Sequence, residues 1–372
     1  MPDSRGLHEA FADRGAGELP TVGVEEELML LDPESLDLLP RAGEVLDRLG
    51  NPARFKPELP AGQLELLSRP ATGLDSIAED LAQGRRELAA AAEGIGRLAA
   101  AGTHPFTNPE GELNPAEPYR FTREEYGPVA GRQLVFGLHV HVRIAGAERA
   151  VAVYNAMRSH LPEIAALAAN APLYGGVDTG LASVRPKISE LLPRQGVPPA
   201  IRDLDEFAES LGWVAAAGAA PEPRMWWWEL RLHPIHGTVE VRVPDQQTTV
   251  GETVAIAAVV RGLALELAER FDAGEELRVH PGWRIAENRW AAARHGLDGA
   301  MADLDTGERV PTRERLAELV DRLAAGAPGE DAAAFAAARR LVEENGAARL
   351  RRLATESGVE VATGDLAERF LA

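Results

Sequence analysis

Residues 21–32 read TVGVEEELMLLD, an apolar, strand-forming run with three consecutive glutamates in its middle. An extended chain turns successive side chains to opposite faces, so Glu25 and Glu27 share one face, about 7 Å apart along the chain. Val22, Val24, Glu26, Leu28 and Leu30 share the other. The segment therefore reads as a strand with a core on one side and a pair of carboxylates on the other.

The same alternation recurs in three more strand-like segments. GQLELLS (62–68) puts Gln63 and Glu65 on one face, QLVFGLHVHVRI (133–144) does so for His139, His141 and Arg143, and GTVEVRV (237–243) for Glu240 and Arg242. A fifth segment, WWWELRLH (226–233), completes the set. One such strand alone fits the solvated outer face of an antiparallel sheet. Four together fit it less well, because solvent faces mix Thr, Ser, Lys and Gln and need no pairs of metal-ligand types. A sheet that curls round these residues gathers Glu25, Glu27, Glu65 and Glu240 in one cavity, where their repulsion is severe unless cations sit between them. Carboxylate oxygens select Mg2+ or Mn2+, and an imidazole from HVHV fills one position more readily on Mn2+. The H-x-H pair alone also fits a zinc hydrolase; the carboxylate excess argues against it, and metal content separates the two. Arg185, Arg231 and Arg242 read either as planar clamps for carboxylate or phosphate or as ion pairs of an Arg-rich chain. Neither a G-x-x-x-x-G-K-[ST] sequence nor a G-x-G-x-x-G after a strand occurs, so no P-loop or Rossmann turn is expected to hold a nucleotide.

Helical periodicity appears over 74–101, 148–169, 203–218 and 250–274 and through most of the chain from 284 onward. Strands grouped with helices to one side favour an α+β fold with a mostly antiparallel sheet. The Pro/Gly stretches at 102–118 and 193–199 read as loops within one domain spanning 1–372, with 1–19 a flexible N-terminal segment. A formal net charge of −19 disfavours nucleic acid and anionic membranes as partners. Cysteine is absent, which removes thiolate chemistry and disulfides. Neither a leader-like start nor an apolar run of membrane-spanning length is seen, and a cytoplasmic location is expected.

Seven motifs in order, GVEEELML (23–30), PEL with QLEL (57–59 and 63–66), AGTHPF (101–106), FGLHVHV (136–142), DTGLASVRP (178–186), LRLHPIHGTVEVRVPD (230–245) and ENRWAAARHGLDG (287–299), resemble the glutamate-cysteine ligase type 2, or carboxylate-amine ligase, family. The resemblance implies a catalytic domain related to glutamine synthetase, with a curved antiparallel sheet forming a funnel and helices packed outside. It implies an ATP-dependent ligase that joins a small acid, such as glutamate through its γ-carboxylate, to cysteine or another amine by way of an acyl phosphate, with two or three Mg2+ or Mn2+ ions. On this resemblance Glu25, Glu27, Glu58, Glu65 and Glu240 become metal ligands, and His139 contacts metal or phosphate with His141 beside it. Arg242, with Glu27 and Glu240, serves the transferred phosphoryl group. Arg185 takes the acid substrate, and Arg231 and Lys187 join it as contacts to substrate or ATP. The family alone implies a homodimer. Ala61, Gly62 and Arg143 depart from its usual pattern and bear on the identity of the acid and amine. The same chemistry on another acid and amine, or a non-catalytic relative, are the further readings; the triple tryptophan reads as core packing before it reads as pocket lining.

Overall fold

The computed structural model of the protein describes residues 3–13, 20–50, 53–222 and 225–372. In chain order its elements are α1 (Ser4–Ala10), β1 (Val22–Leu31), α2 (Ala42–Leu49), β2 (Phe55–Pro57), β3 (Gln63–Leu67), α3 (Leu74–Ala92), β4 (Arg97–Ala99), α4 (Arg120–Tyr126), β5 (Leu138–Arg143), α5 (Ala147–Met157), α6 (Leu161–Leu167), β6 (Leu173–Tyr174), β7 (Val177–Asp178), α7 (Arg185–Ser189), α8 (Leu204–Ala216), β8 (Leu230–His233), β9 (Thr238–Val241), α9 (Val250–Asp272), α10 (Gly282–His295), β10 (Ala300–Ala302), β11 (Arg309–Pro311), α11 (Thr312–Gly326), α12 (Ala332–Glu343), α13 (Gly346–Ser357) and α14 (Val359–Glu368), with short 3-10 turns between.

The main sheet runs β2-β3-β1-β5-β9-β8, with β4 paired to the far half of β1. Every pairing is antiparallel and the edge strands β2 and β8 do not join, so the α+β expectation holds with an open sheet. One face carries Val22, Val24, Leu28 and Leu30 of β1, Leu64 and Leu66 of β3, Val140 and Val142 of β5 and Val239 and Val241 of β9, all buried in the main core. Helices α3, α5 and α9 cover that face, and each buried Leu or Val there contributes roughly 1.5–3 kcal/mol. The opposite face divides along β1. Met29 and Leu31 form a second core with Ala99 and Phe136 beneath α13 and α14, whereas Glu25 and Glu27 lie beyond the reach of those helices.

Glu26 answers the question its position poses. It stands on the apolar face, fully buried, where Arg85 of α3 donates to both its oxygens, Nε at 2.9 Å and Nη2 at 2.5 Å. Thr253 Oγ1 and Gln246 Nε2 donate to its Oε1 at 2.7 and 3.0 Å. A carboxylate can sit in this core because guanidinium, hydroxyl and amide together replace its water.

Several segments differ from the sequence reading. The helix expected over 74–101 ends at Ala92, because Gly94 takes φ +73° and returns the chain along β1 as β4. Residues 133–137 and 226–229 precede β5 and β8 as irregular chain. The segment 148–169 breaks into α5 and α6, with Pro162 in the first turn of α6. The N-terminal segment, expected to be flexible, is a helix over Ser4–Ala10 whose Asp3 side chain accepts from the Gly6 N–H at 2.8 Å. Leu7 and Phe11, one turn apart, are fully buried and α1 packs against α8; residues 14–19 lie outside the described residues. Among the described residues no helix is long and apolar enough to cross a membrane.

Candidate active site

Strand register sets the polar side chains in a band across the sheet. Lys56 of β2 stands opposite Glu65 of β3, and Glu65 opposite Glu27 of β1. Glu25 stands opposite His139 of β5, His141 opposite Glu240 of β9, and Glu240 opposite Arg231 of β8. This band is one wall of a cavity of about 380 Å³ that Glu58, Arg185 and Arg242 also line.

The groups make close contacts. His139 Nδ1 lies 3.0 Å from Glu25 Oε2 and 3.3 Å from Arg242 Nη1, and His139 Nε2 is 3.7 Å from Glu27 Oε1. His141 Nε2 is 3.3 Å from Glu25 Oε1 and 3.8 Å from Glu240 Oε1, while its Nδ1 is 2.9 Å from the Thr238 hydroxyl. Glu27 Oε2 accepts from the Gly137 N–H. Glu240 is fully buried beneath the cavity rather than lining it; Arg231 donates to its Oε2, and Arg242 Nη1 to its Oε1 at 2.5 Å.

Charge follows this geometry. Burial works to raise the Glu25 carboxyl, but His141 and His139 together hold it well below the usual range. The arginines Arg231 and Arg242 likewise overcome burial at Glu240. Glu58 and Glu65 are helped less: burial, then Glu27, push Glu58 up to about 7 against the pull of the Leu59 N–H and Arg242, and burial, then Glu25, push Glu65 well up against the weaker pull of Lys56. Like charges directly opposite, as Glu27 and Glu65 are, destabilise a sheet unless something positive lies between them.

Two triads offer that something a place. Glu25, His141 and Glu240 each present a ligand atom within 4.8 Å of the others, and so do Glu25, Glu65 and His139. His141 Nε2, buried and facing only the carboxylates Glu25 and Glu240 at 3.3 and 3.8 Å among the described residues, is the atom a cation there would draw on. The residues therefore fit hard divalent ions bound mainly through oxygen with one imidazole each. The H-x-H pair is split between triads that share Glu25, which removes the basis for a two-histidine zinc centre.

Most of the expected site residues converge: Glu25, Glu27, Glu58, Glu65, His139, Arg185, Arg231 and Arg242 line the cavity, with His141 and Glu240 behind. Lys187 does not. Its Nζ pairs with Glu190 at 2.6 Å and stands 5.5 Å over Trp290, directed away by the turn of α7. Arg185 is partly spent on structure, with Nε donating to Asp245 at 2.7 Å and Nη2 to the Val243 and Pro244 carbonyls. Arg143, co-facial with the histidines, instead donates to the Ala10 and Ala12 carbonyls and holds α1. His104 of AGTHPF is likewise structural, its Nδ1 accepting from Thr107 N–H at 2.9 Å. Of the tryptophans, Trp226 packs on Phe207, Trp227 lines the cavity beside the polar band and Trp228 lines a separate surface cavity.

Sequence reasoning gave no role to Lys56, Glu229, His233 or His236, which also line the cavity. Lys56 was legible as the co-facial neighbour of Glu58, and His233 with His236 as an H-x-x-H closing a hairpin; their rings stack 4.2 Å apart. Glu229 carried no signal, because its partner Arg289 is 60 residues away.

Residues 21–371 match the family model for glutamate-cysteine ligase family 2. A protein of Rubrobacter xylanophilus provisionally named glutamate–cysteine ligase 2-3 is 39% identical over 314 residues, covering 83% of this chain and 85% of its own. A Thermobifida fusca protein provisionally named glutamate–cysteine ligase 2 is 35% identical, covering 82% and 78%. The solved glutamate–cysteine ligase of Francisella tularensis in complex with AMP shares the fold, with a TM-score of 0.72 at 15% identity over 95% of this chain and 88% of that one. Fold, site and relatives define an enzyme that joins carbon to nitrogen. The chain belongs to glutamate-cysteine ligase family 2.

Proposed function

We propose that the enzyme uses ATP to activate the carboxylate of a small acid, the γ-carboxylate of glutamate in the first instance, and joins it to cysteine or another amine. The acid oxygen attacks the γ-phosphorus, ADP leaves, and the amine displaces phosphate from the resulting acyl phosphate. The observation that carries this reading is the band of carboxylates, imidazoles and arginines on one cavity wall. Phosphoryl transfer needs positioning and charge neutralisation more than covalent help from protein. Mg2+ or Mn2+, when bound, neutralises phosphate oxygens.

The chain's own residues divide the remaining work. Glu25, Glu65 and Glu240 with His139 and His141 hold the ions, and Glu27 and Glu58 complete the acidic surround. Arg242, fixed by Glu240 and by the Arg185-braced turn over 242–245, presents a planar guanidinium to the phosphoryl group. The Nη1 of Arg185, next to Gly137 and His139, takes the acid substrate. Cytoplasm, where ATP is abundant, is the expected setting.

The test is ADP release with glutamate and a panel of amines, then with other acids. Wild type should release ADP only when an acid and a divalent ion are present, and chelation should stop it. Glu240→Gln should remain folded and lose ATP-dependent turnover; a metal-saturated, active Glu240→Gln enzyme would contradict the assignment.

A further inference from the structure

Lys56 and Glu65 face each other across β2 and β3, with Nζ 3.7 Å from Oε2. Glu65 is buried at 6% exposure and belongs to the Glu25–Glu65–His139 triad, whereas the Lys56 side chain is 46% exposed and reaches the cavity from the sheet edge. One end of this ion pair is fixed and the other is free to swing. Of the 39 basic residues only Lys56 and Lys187 are lysine, and Lys187 lies outside the cavity. A guanidinium at position 56 would grip Glu65 with a rigid fork of donors, while an ammonium is a compact point charge on a flexible stem that can let go.

We propose that Lys56 is a resident counter-ion of Glu65, placed where a divalent cation is to sit, and that it must leave Glu65 for the ion to enter. This rests on the metal-dependent reading above and adds to it a competition between a side chain and the ion for one carboxylate. The arrangement lets the acidic wall fold before metal arrives, because the Glu27–Glu65 opposition has a neighbouring positive charge from the start. It also sets the metal affinity below what the carboxylates alone would give, since each ion entering the triad displaces an ion pair.

Mn2+ titration followed by electron paramagnetic resonance, without nucleotide, tests this apart from turnover. Lys56→Met should bind Mn2+ roughly fivefold more tightly than wild type, the factor set by an ion pair near 1 kcal/mol. Lys56→Arg, which keeps the charge and adds donors, should bind no tighter than wild type. Circular dichroism melting checks that both variants fold, as a half-exposed edge position should allow. Mn2+ binding by Lys56→Met that equals or falls below wild type overturns the proposal and leaves the ligase reading standing. A wild type that takes up no Mn2+ overturns both.

Discussion

At the scale of single residues, two positions show how burial and space constrain this chain. Arg85 is fully buried, paired with Glu26 and donating to the Thr248 and Phe370 carbonyls at 2.7 and 2.9 Å. It therefore ties β1, the loop before α9 and the C-terminus to α3. Removing it leaves a carboxylate in a dry core, so Arg85→Met should cost about 3–5 kcal/mol; urea unfolding measures this. Gly137 acts through space. A Cβ there would meet His139 Nε2 at 3.2 Å, Arg185 Nη1 at 3.3 Å and Glu27 Oε2 at 3.4 Å, three groups of the proposed machinery. Gly137→Ala should lower kcat/KM by about 100-fold through misplacement of these groups, with little change in melting temperature. The facing of Glu25 and Glu27 was legible from alternation alone. The partner of Glu26 was not, because nothing local marks Arg85 of α3 as different from its neighbour Arg86.

At the scale of elements, register decides what the site contains. The sequence shows which residues share a face of one strand, and all of those pairings hold. It does not show which strands are neighbours, so the opposition of Glu27 to Glu65 and of His141 to Glu240 appears only in the sheet. Short strands were invisible: β2 and β4 have three residues each, too few for a period to show. Helix packing makes its own prediction. Glu163 of α6, buried at 5% exposure, receives Arg315 from α11 and lies 2.6 Å from His160 Nδ1. Burial alone would raise its carboxyl, but His160 and Arg315 hold it at about 2. A carboxyl depressed from about 4.5 to about 2 contributes roughly 3 kcal/mol that is present above its unfolded value and lost as pH falls through its folded one. Glu163→Gln should thus be less stable than wild type at neutral pH. The difference in urea midpoint should narrow below about pH 4.5; a gap unchanged in acid would show the pair to be idle.

At the scale of the whole molecule, one open sheet separates two environments. Helices α3, α5 and α9 seal its apolar face, and α13 and α14 cover the far end of the other, so that only the middle of the polar face opens to the cavity. The chain carries a net charge of −19 yet sets Arg231, Arg242 and Arg185 in the lining of that cavity. The co-facial sets Glu25 with Glu27, Gln63 with Glu65, His139 with His141, and Glu240 with Arg242 could be read from four short polar patterns because alternation is local, whereas Glu58 came only with the family resemblance. The ordering of strands, the burial of Glu240 and the outward turn of Lys187 could not, because they depend on contacts between distant segments. On the proposed reading, the acidic wall grips divalent cations at two triads sharing Glu25. Mn2+ uptake per chain, measured by electron paramagnetic resonance with ADP present, tests it most directly. Glu65→Gln should lose one ion and Glu25→Gln both, whereas a Glu25→Gln protein that takes up Mn2+ as wild type does would contradict the account.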